Sequence, residues 1–232
     1  MKAFCITVKD NPISEKGFNA CWQSCRDAKN DFNVKRFDAS TETTVKKEII
    51  DWDLVWNYPW EGKVSCIATG LVKSAYPTAI KERRMAAAVS HFRLWTECFE
   101  KKEPIIVLEH DAFFIKKLDY QYLLDSKYDI IGINNPLGAT RRAQLFHDII
   151  KKNKKDIQPV PTIDEFNIPQ GLAGNSAYII KPSGAEKMIE LVFKYGLWPN
   201  DALMCKQLVD NLGVSKIFYT RVQGLTSTTT QH

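Results

Sequence analysis

The sequence predicts an α/β fold in which helices flank a central sheet. Residues 104–109 (Pro-Ile-Ile-Val-Leu-Glu) form a short apolar run that ends in a carboxylate, a pattern typical of a strand buried on both faces of a parallel sheet. Residues 2–37 show a strand, a helix and a second strand in turn, and residues 128–134 form a further apolar strand. Strands that alternate with helical segments favour a largely parallel sheet.

Three segments make up the opening strand-helix-strand unit. Residues 2–8 are rich in β-forming residues, residues 14–29 place their apolar side chains at helical spacing, and residues 33–37 fit a short strand. The unit contains neither a Gly-x-Gly-x-x-Gly motif nor a Walker motif. This absence argues against a dinucleotide site of the Rossmann type and against a P-loop kinase.

A long helix is predicted over residues 79–101, with Thr78 as its N-cap. Ser90 and His91 lie in its middle. The helix leads directly into the 104–109 strand, so its buried face is expected to pack beneath the carboxylates at the end of that strand. A histidine among apolar helix neighbours is more often a core residue than a catalyst, and both interpretations stay open here.

The rest of the chain is interpreted as a series of shorter elements. They are a helix at 118–124, a basic and loop-rich insertion at about 135–170 with a helical piece at 143–152, a glycine-containing turn and strand at 171–180, a helix opened by a capping box at 183–186, a helix from Asp201 to about Leu212, a strand at 214–220, and a polar tail at about 223–232. No repeat or linker divides the chain, so residues 1–232 are expected to form a single domain.

Composition and the N-terminus indicate the class of protein. The 232 residues are 44% hydrophobic, which is enough for a full core. No apolar run approaches the roughly 20 residues that span a bilayer, and the N-terminus becomes charged too soon for a signal peptide. Six cysteines are scattered through apolar surroundings, as expected of reduced thiols. We therefore expect a cytoplasmic protein, without a transmembrane segment.

Positive charge is mild overall, at a net +5, but it is clumped. One pair, Arg83-Arg84, opens the long helix, and the largest group falls in the insertion. That group consists of Arg141, Arg142, Lys151, Lys152, Lys154 and Lys155. Such clumps are most often solvated faces, and the alternatives are contact with DNA or with an anionic membrane.

Two carboxylates, Glu109 and Asp111, close the 104–109 strand. Open α/β sheets bind ligands at the carboxyl ends of their strands. Two carboxylates at that position can hold a divalent cation, which in turn neutralises a diphosphate. The alternative is a solvated loop. An aromatic cluster in residues 51–60 is a further candidate for acceptor binding, although such clusters more often fill a core.

Four motifs in a fixed order resemble glycosyltransferase family 25, the group of bacterial lipooligosaccharide galactosyltransferases and collagen galactosyltransferases. They are Ser90-His91, Val107-Leu-Glu-His-Asp-Ala, Gly174-Asn-Ser-Ala-Tyr-Ile-Ile with Gly184-Ala-Glu-Lys behind it, and Pro199-Asn-Asp201. The resemblance covers roughly residues 80–225. It implies a GT-A-like (Rossmann-like) mixed sheet flanked by helices, and a UDP-sugar donor used together with Mn²⁺ or Mg²⁺.

The resemblance also implies roles for particular residues. Asp111 and Glu109 take the metal-facing positions, and Asp111 and Asp201 are the catalytic candidates. The expected donor-binding residues are Glu109, Ser90, His91, Gly174, Asn175 and Ser176. Asp201 is the candidate general base, with a helix N-cap as the alternative interpretation. His110 stands where the family has its first aspartate, which leaves one carboxylate fewer at the expected metal site.

The function expected from these observations is transfer of a hexose from a UDP-sugar to a hydroxyl of a lipopolysaccharide-type glycan, with inversion. One alternative is glycosylation of hydroxymethylated bases in phage-type DNA, with the basic insertion holding phosphates. A second is a degenerate module that binds carbohydrate or nucleic acid without turnover, and a third is a metal-dependent nucleotidyltransferase or phosphatase. A bacterial or phage protein, cytoplasmic or peripheral at the inner membrane face, fits the first two interpretations.

Overall fold

The fold is described by a computed structural model that covers residues 1–226; the end of the predicted polar tail, 227–232, lies outside the described residues. The elements in chain order are β1 (Lys2–Thr7), α1 (Pro12–Asp27), β2 (Val34–Asp38), α2 (Val45–Asp51), β3 (Lys63–Cys66), β4 (Leu71–Ser74), α3 (Lys81–Lys101), β5 (Ile105–Glu109), β6 (Ala112–Phe114), α4 (Tyr120–Leu124), β7 (Ile130–Gly132), α5 (Ala143–Lys152), β8 (Ile157–Pro159), β9 (Ala177–Ile180), α6 (Pro182–Tyr195), α7 (Asn200–Leu203), β10 (Leu212–Ser215) and β11 (Thr220–Val222).

The main sheet has seven strands in the order β2-β1-β5-β9-β7-β10-β8. β2, β1 and β5 are parallel, whereas β9 runs antiparallel to both of its neighbours, β5 and β7. The carboxyl ends of β1, β2, β5, β7 and β10 therefore meet the amino end of β9 at one edge, which we call the carboxyl edge. The expected mixed sheet flanked by helices is confirmed. The expectation that β5 lies between parallel strands only is wrong, because β9 is inserted beside it.

Helices cover both faces of this sheet. α3 and α6 pack on one face, and α1 and α4 pack on the other. Successive residues of a strand point to opposite faces, so in β5 Val107 joins the α3–α6 side of the core while Leu108 joins the α1 side. All six cysteines are free thiols. None of the helices in residues 1–226 has the length and apolar character needed to cross a membrane.

The long helix forms as predicted, but its start differs from the prediction. α3 begins at Lys81, and its cap position is occupied by Ile80, which provides no side-chain cap. The Thr78 hydroxyl instead donates to the carbonyl of Tyr76 (3.0 Å). Thr78 as an N-cap is therefore wrong, because its hydroxyl is used within the preceding turn.

The capping box predicted at residues 183–186 is also wrong. α6 begins at Pro182, a residue whose fixed φ and missing N–H suit the first helical position. Ser183 therefore lies inside the first turn, and its hydroxyl donates to the Asp129 carboxylate instead of capping the helix.

The chain after Asp201 departs most from the prediction. α7 ends at Leu203, since Cys205 pairs with Gly171 in an isolated bridge and the Lys206 N–H donates to the carbonyl of Gln170 (3.0 Å). These contacts draw the chain away from a helical path. The strand predicted at 214–220 is divided into β10, which joins the main sheet, and β11, which pairs with β6.

The insertion at 135–170 is more regular than expected. It contains α5, which matches the predicted helical piece, and β8, which pairs antiparallel with β10 at one side of the sheet. Its remaining residues form the loops that lead back toward the carboxyl edge.

Candidate active site

A chain of hydrogen bonds connects α3, β9 and the end of β5. His91 Nε2 lies 3.1 Å from Glu109 Oε1, and His91 Nδ1 lies 2.8 Å from the Tyr178 hydroxyl. The Trp95 indole N–H donates to the same hydroxyl (2.8 Å). The ionised Glu109 carboxylate can only accept a hydrogen bond, so the His91 ring carries its proton on Nε2 and donates it to Glu109. His91 Nδ1 then accepts a hydrogen bond from the Tyr178 hydroxyl. Buried side chains therefore fix the orientation of Glu109.

The turn after β5, residues 109–111, carries the two carboxylates Glu109 and Asp111 and is called the acidic turn. These two carboxylates differ in their tendency to bind a proton. Burial is the largest single effect and disfavours the charge on Glu109. The hydrogen bond from His91, together with the charges of His91, His110 and Arg84, outweighs it, and the pKa of Glu109 lies below its usual value. Burial, reinforced by the charge on Glu109, raises the pKa of Asp111 to about 7, against the opposing effect of the Ser176 hydroxyl. At neutral pH the site therefore contains an ionised carboxylate, Glu109, and a carboxyl group that is partly protonated, Asp111.

Residues 1–226 contain four buried side-chain polar atoms that have no hydrogen-bond partner. They are Arg84 Nε, Asp111 Oδ1, Asn175 Oδ1 and Asn175 Nδ2. Leaving such atoms unpaired costs about 1–3 kcal/mol each, so they are rare, and each is a candidate position for a bound ligand, ion or ordered water. All four belong to residues at or beside the carboxyl edge, where a polar ligand would supply the missing partners.

The acidic turn fits a metal that is shared with a substrate. Residues 1–226 contain no cluster of three or more His, Cys, Asp or Glu side chains that forms a complete metal site. Glu109 and Asp111 nevertheless offer two carboxylates, one with an unpaired buried oxygen. Mg²⁺ is commonly bound by one or two carboxylates together with substrate phosphates. The donor set is therefore suited to a cation that arrives with, or bridges to, a phosphate.

Gln223 holds the backbone of this acidic turn in place. Its N–H donates to the Asp111 carbonyl (2.8 Å), and its side-chain amide lies within hydrogen-bond distance of the carbonyls of His110 (3.1 Å) and Ala112 (3.0 Å). Gly17 of α1 packs so closely that an added Cβ would lie 2.5 Å from the His110 oxygen. The sequence interpretation had assigned Gln223 to a polar tail, and the isolated glutamine gave no signal of this role.

The structure brings residues 174–176 to the acidic turn, as expected. The Ser176 carbonyl accepts the N–H of Glu109 (2.9 Å), and Asn175 adds its unpaired amide. Gly174 has a φ of +84°, and an added Cβ would lie 2.6 Å from the Cβ of Ala139. The glycine is required because the 135–170 insertion passes directly over this turn.

Ser90 occupies a different position from its neighbour His91. Its hydroxyl donates to the Ala86 carbonyl (2.8 Å) and accepts the N–H of Ser40 (2.9 Å). Ser90 therefore fixes the loop after β2 to α3, while the His91 ring faces Glu109. Of the two, only His91 contacts the acidic turn.

Asp201 lies in α7 beside Tyr76 and near Arg84. The cap position of α7 is Pro199, so the alternative interpretation of Asp201 as an N-cap is wrong. Burial raises the pKa of Asp201, and the Arg84 charge and the Tyr76 hydroxyl offset this only in part. A carboxylate with a raised pKa is better matched to proton abstraction near neutral pH than an ordinary aspartate.

The aromatic cluster of residues 51–60 is largely packed on itself. The Trp56 and Trp60 rings are stacked at 4.8 Å, and Lys81 Nζ covers the Trp60 ring at 5.4 Å. Tyr58 packs against Tyr76 and Trp198. These contacts favour the core-filling interpretation over an open stacking platform for a sugar.

Part of the basic charge is engaged within the chain. Arg142 forms an ion pair with Asp164 (2.6 Å), and Lys151 donates to the Lys216 carbonyl (2.9 Å). At the start of α3, Arg83 pairs with Glu42.

Comparison with known families identifies the chain. The model of the family described as glycosyltransferase family 25 (LPS biosynthesis protein) matches residues 26–204, which include all the predicted site residues. The chain belongs to glycosyltransferase family 25. The predicted resemblance is thereby confirmed, and the chain is a glycosyltransferase.

Two solved transferase structures are similar to this family 25 member at low sequence identity. Galactosyltransferase LgtC, in complex with donor and acceptor sugar analogs, is 9% identical, with 92% of this chain and 73% of that chain covered and a TM-score of 0.43. The apo form of mouse xyloside xylosyltransferase 1 is 12% identical, with 90% and 81% covered and a TM-score of 0.37. No curated protein sequence gave a significant match.

Proposed function

We propose that this family 25 member transfers a hexose from a UDP-sugar to a hydroxyl of a lipopolysaccharide-type glycan, with inversion at the anomeric carbon. One observation carries the proposal: the unpaired buried polar atoms of residues 1–226 all belong to Arg84, Asp111 and Asn175, which lie at or beside the carboxyl edge. This combination of charged and neutral hydrogen-bonding groups suits a ligand that has both phosphates and sugar hydroxyls.

Each group has a defined part in the proposed reaction. Glu109 and Asp111 would hold Mn²⁺ or Mg²⁺, which supplies positive charge for the leaving diphosphate when bound. His91 and Tyr178 keep Glu109 ionised and oriented. The Asn175 amide has both a free donor and a free acceptor, so it can bind the hydroxyls of the donor sugar.

Asp201 acts as the general base in this proposal. It takes the proton of the acceptor hydroxyl while that oxygen bonds to the anomeric carbon and the bond to the diphosphate breaks. Attack opposite the leaving group gives inversion. The raised pKa of Asp201 supports this role because it strengthens the carboxylate as a base.

The DNA alternative is not carried forward. Two of its six predicted basic residues, Arg142 and Lys151, already make contacts within the chain. No contact observed at the carboxyl edge of the described residues selects a nucleobase over a sugar.

The test is UDP release from a panel of UDP-sugars with Mn²⁺, in the presence of terminal-sugar oligosaccharides or of hydroxymethylated duplex DNA. We expect one UDP-hexose to be turned over with the saccharides, and Asp111→Asn to reduce the rate at least tenfold. Asp210→Asn, which removes an exposed carboxylate, is the matched control. Stimulation by the DNA alone, or equal rates for wild type and Asp111→Asn, would contradict the proposal.

A further inference from the structure

Arg84 is a cation near two carboxylates that pairs with neither. It lies in the first turn of α3, seven residues before His91, so the two side chains project from the same face of the helix. Its charge acts on both Glu109 and Asp201, so the guanidinium lies near both carboxylates. Within residues 1–226 no carboxylate forms an ion pair with Arg84.

Neighbouring groups hold the Arg84 guanidinium in place without using all of its donors. Its Cζ lies 5.0 Å from the centre of the Tyr76 ring, and its Nη2 donates to the Pro77 carbonyl (3.3 Å). The Nε atom is buried and has no partner. A charged donor buried in this way is costly unless a ligand accepts from it. The side chain is thus positioned for a partner that the chain itself does not provide.

The adjacent arginine has a different environment. Arg83 donates to the Glu42 carboxylate in an ion pair on the outer side of α3. Both residues carry the same charge, yet only Arg84 is directed toward Asp201 and Tyr76. This difference provides a matched control for the role of Arg84.

We propose that Arg84 binds the diphosphate of the nucleotide-sugar donor and stabilises the charge that develops on it as the sugar leaves. The inference rests on the function proposed above and adds a protein-supplied cation to the site. A guanidinium binds phosphate oxygens through directed, charge-assisted hydrogen bonds, and Arg84 has an unpaired donor available for one of them. His110 stands where the family has a carboxylate, so the site has one carboxylate fewer for binding a metal cation. The Arg84 guanidinium supplies positive charge to the diphosphate in addition to any metal.

Each bond, electron pair and proton in the proposed transfer step can be assigned to a group described above. The bond between the anomeric carbon and the diphosphate oxygen breaks, and its electron pair leaves with that oxygen toward Arg84. The acceptor oxygen forms the new bond to the anomeric carbon, and its proton goes to Asp201. Preorganised positive charge at the leaving oxygen is among the largest contributions that a protein makes to such a reaction.

The experiment compares the binding of UDP, UMP and uridine to wild type and to variants by calorimetry in Mn²⁺ buffer. Arg84→Gln is expected to weaken UDP binding about ten- to a hundredfold and to leave uridine binding unchanged. Arg84→Lys keeps the charge but loses the Nε donor, so its loss is expected to be intermediate. Arg83→Gln removes the same charge from the neighbouring position and should change UDP binding less than twofold.

The outcomes separate this inference from the proposed function. An equal loss of UDP and uridine binding in Arg84→Gln would show a structural role and overturn the inference. UDP binding that is unchanged in Arg84→Gln would overturn it as well, while leaving the proposed function standing. A wild-type protein that binds none of the three compounds would contradict the proposed function itself, and the inference with it.

Discussion

The His91 ring connects Glu109 to the hydrophobic core. One ring nitrogen lies 3.1 Å from the Glu109 carboxylate at the carboxyl edge, and the other lies 2.8 Å from the hydroxyl of Tyr178, which is fully buried. A charged group at the surface of the site is therefore oriented by groups inside the protein. Such support determines how accurately a carboxylate is placed for a ligand.

Removing the Tyr178 hydroxyl tests this connection. Tyr178→Phe leaves the Trp95 N–H and His91 Nδ1 buried without a partner, so we expect a loss of about 1–3 kcal/mol in the free energy of unfolding, measured by urea denaturation. Tyr122→Phe, at an exposed position, is the control and should change stability by less than about 0.5 kcal/mol. Equal effects of the two substitutions would show that the connection contributes nothing specific.

Asp111 is expected to lower stability at neutral and alkaline pH. Its pKa is raised in the folded state to about 7, so ionisation is easier in the unfolded chain, and folding becomes less favourable as the pH rises from about 4 to 7. Without divalent cations, Asp111→Asn should therefore stabilise the protein by about 2–4 kcal/mol at pH 8.

The same substitution should have a much smaller effect at pH 4, where Asp111 is protonated in the folded state and only about half ionised in the unfolded chain. Urea denaturation at the two pH values in EDTA measures the difference. A stabilisation that is equal at pH 4 and pH 8 would contradict the assignment of the effect to the carboxylate charge.

Asn175 is a second residue of the proposed ligand site that is expected to lower the stability of the ligand-free protein. Asn175→Leu replaces two unpaired buried polar atoms by apolar ones, so we expect the free protein to gain about 1 kcal/mol while the KM for the donor rises at least tenfold. Asn211→Leu is the contrast, because the Asn211 amide already donates to Asp129 (2.9 Å). If Asn175→Leu leaves the donor KM unchanged, the amide does not bind the sugar.

The proposed role of Asp201 as a general base predicts the kcat of an Asp201 variant and the pH dependence of kcat/KM. Asp201→Asn is expected to lower kcat by about 10²–10⁴, whereas the exposed control Asp210→Asn should change it less than twofold. In wild type, kcat/KM should fall as the pH drops through the raised pKa of Asp201, because the protonated carboxyl cannot accept a proton. A kcat that is the same in Asp201→Asn and wild type would exclude the role.

The sequence was most informative where local pattern and position in the sheet coincide. The apolar run of β5 followed by Glu109 and Asp111 predicted both a buried strand and the position of the candidate site at its end, because strand ends in such sheets meet at one edge. The motifs around His91 and Ser176 were likewise brought to this edge. These features lie in short segments whose secondary structure is determined by the spacing of their apolar residues and by burial.

Arg84 and Gln223 were missed for a different reason. Arg84 stands next to Arg83, so the pair was interpreted as a basic clump; the seven-residue spacing to His91, two helical turns, was the available signal. Gln223 reaches the acidic turn from a position 112 residues later in the chain than Asp111. A contact of that kind is fixed by tertiary packing and has no local pattern. The short α7 was missed similarly, since the contacts at Gly171 and Gln170 that accompany its end come from another segment.

We propose above all that residues at the carboxyl edge catalyse the transfer of a hexose from a UDP-sugar, with Asp201 as the general base. The most direct measurement is mass spectrometry of a saccharide acceptor, together with UDP quantification, after incubation with UDP-hexose and Mn²⁺. We predict that wild type and Asp210→Asn add one hexose for each UDP released, and that Asp201→Asn does neither at a comparable rate. UDP release without a hexose on the acceptor, or equal product from Asp201→Asn and wild type, would contradict the account.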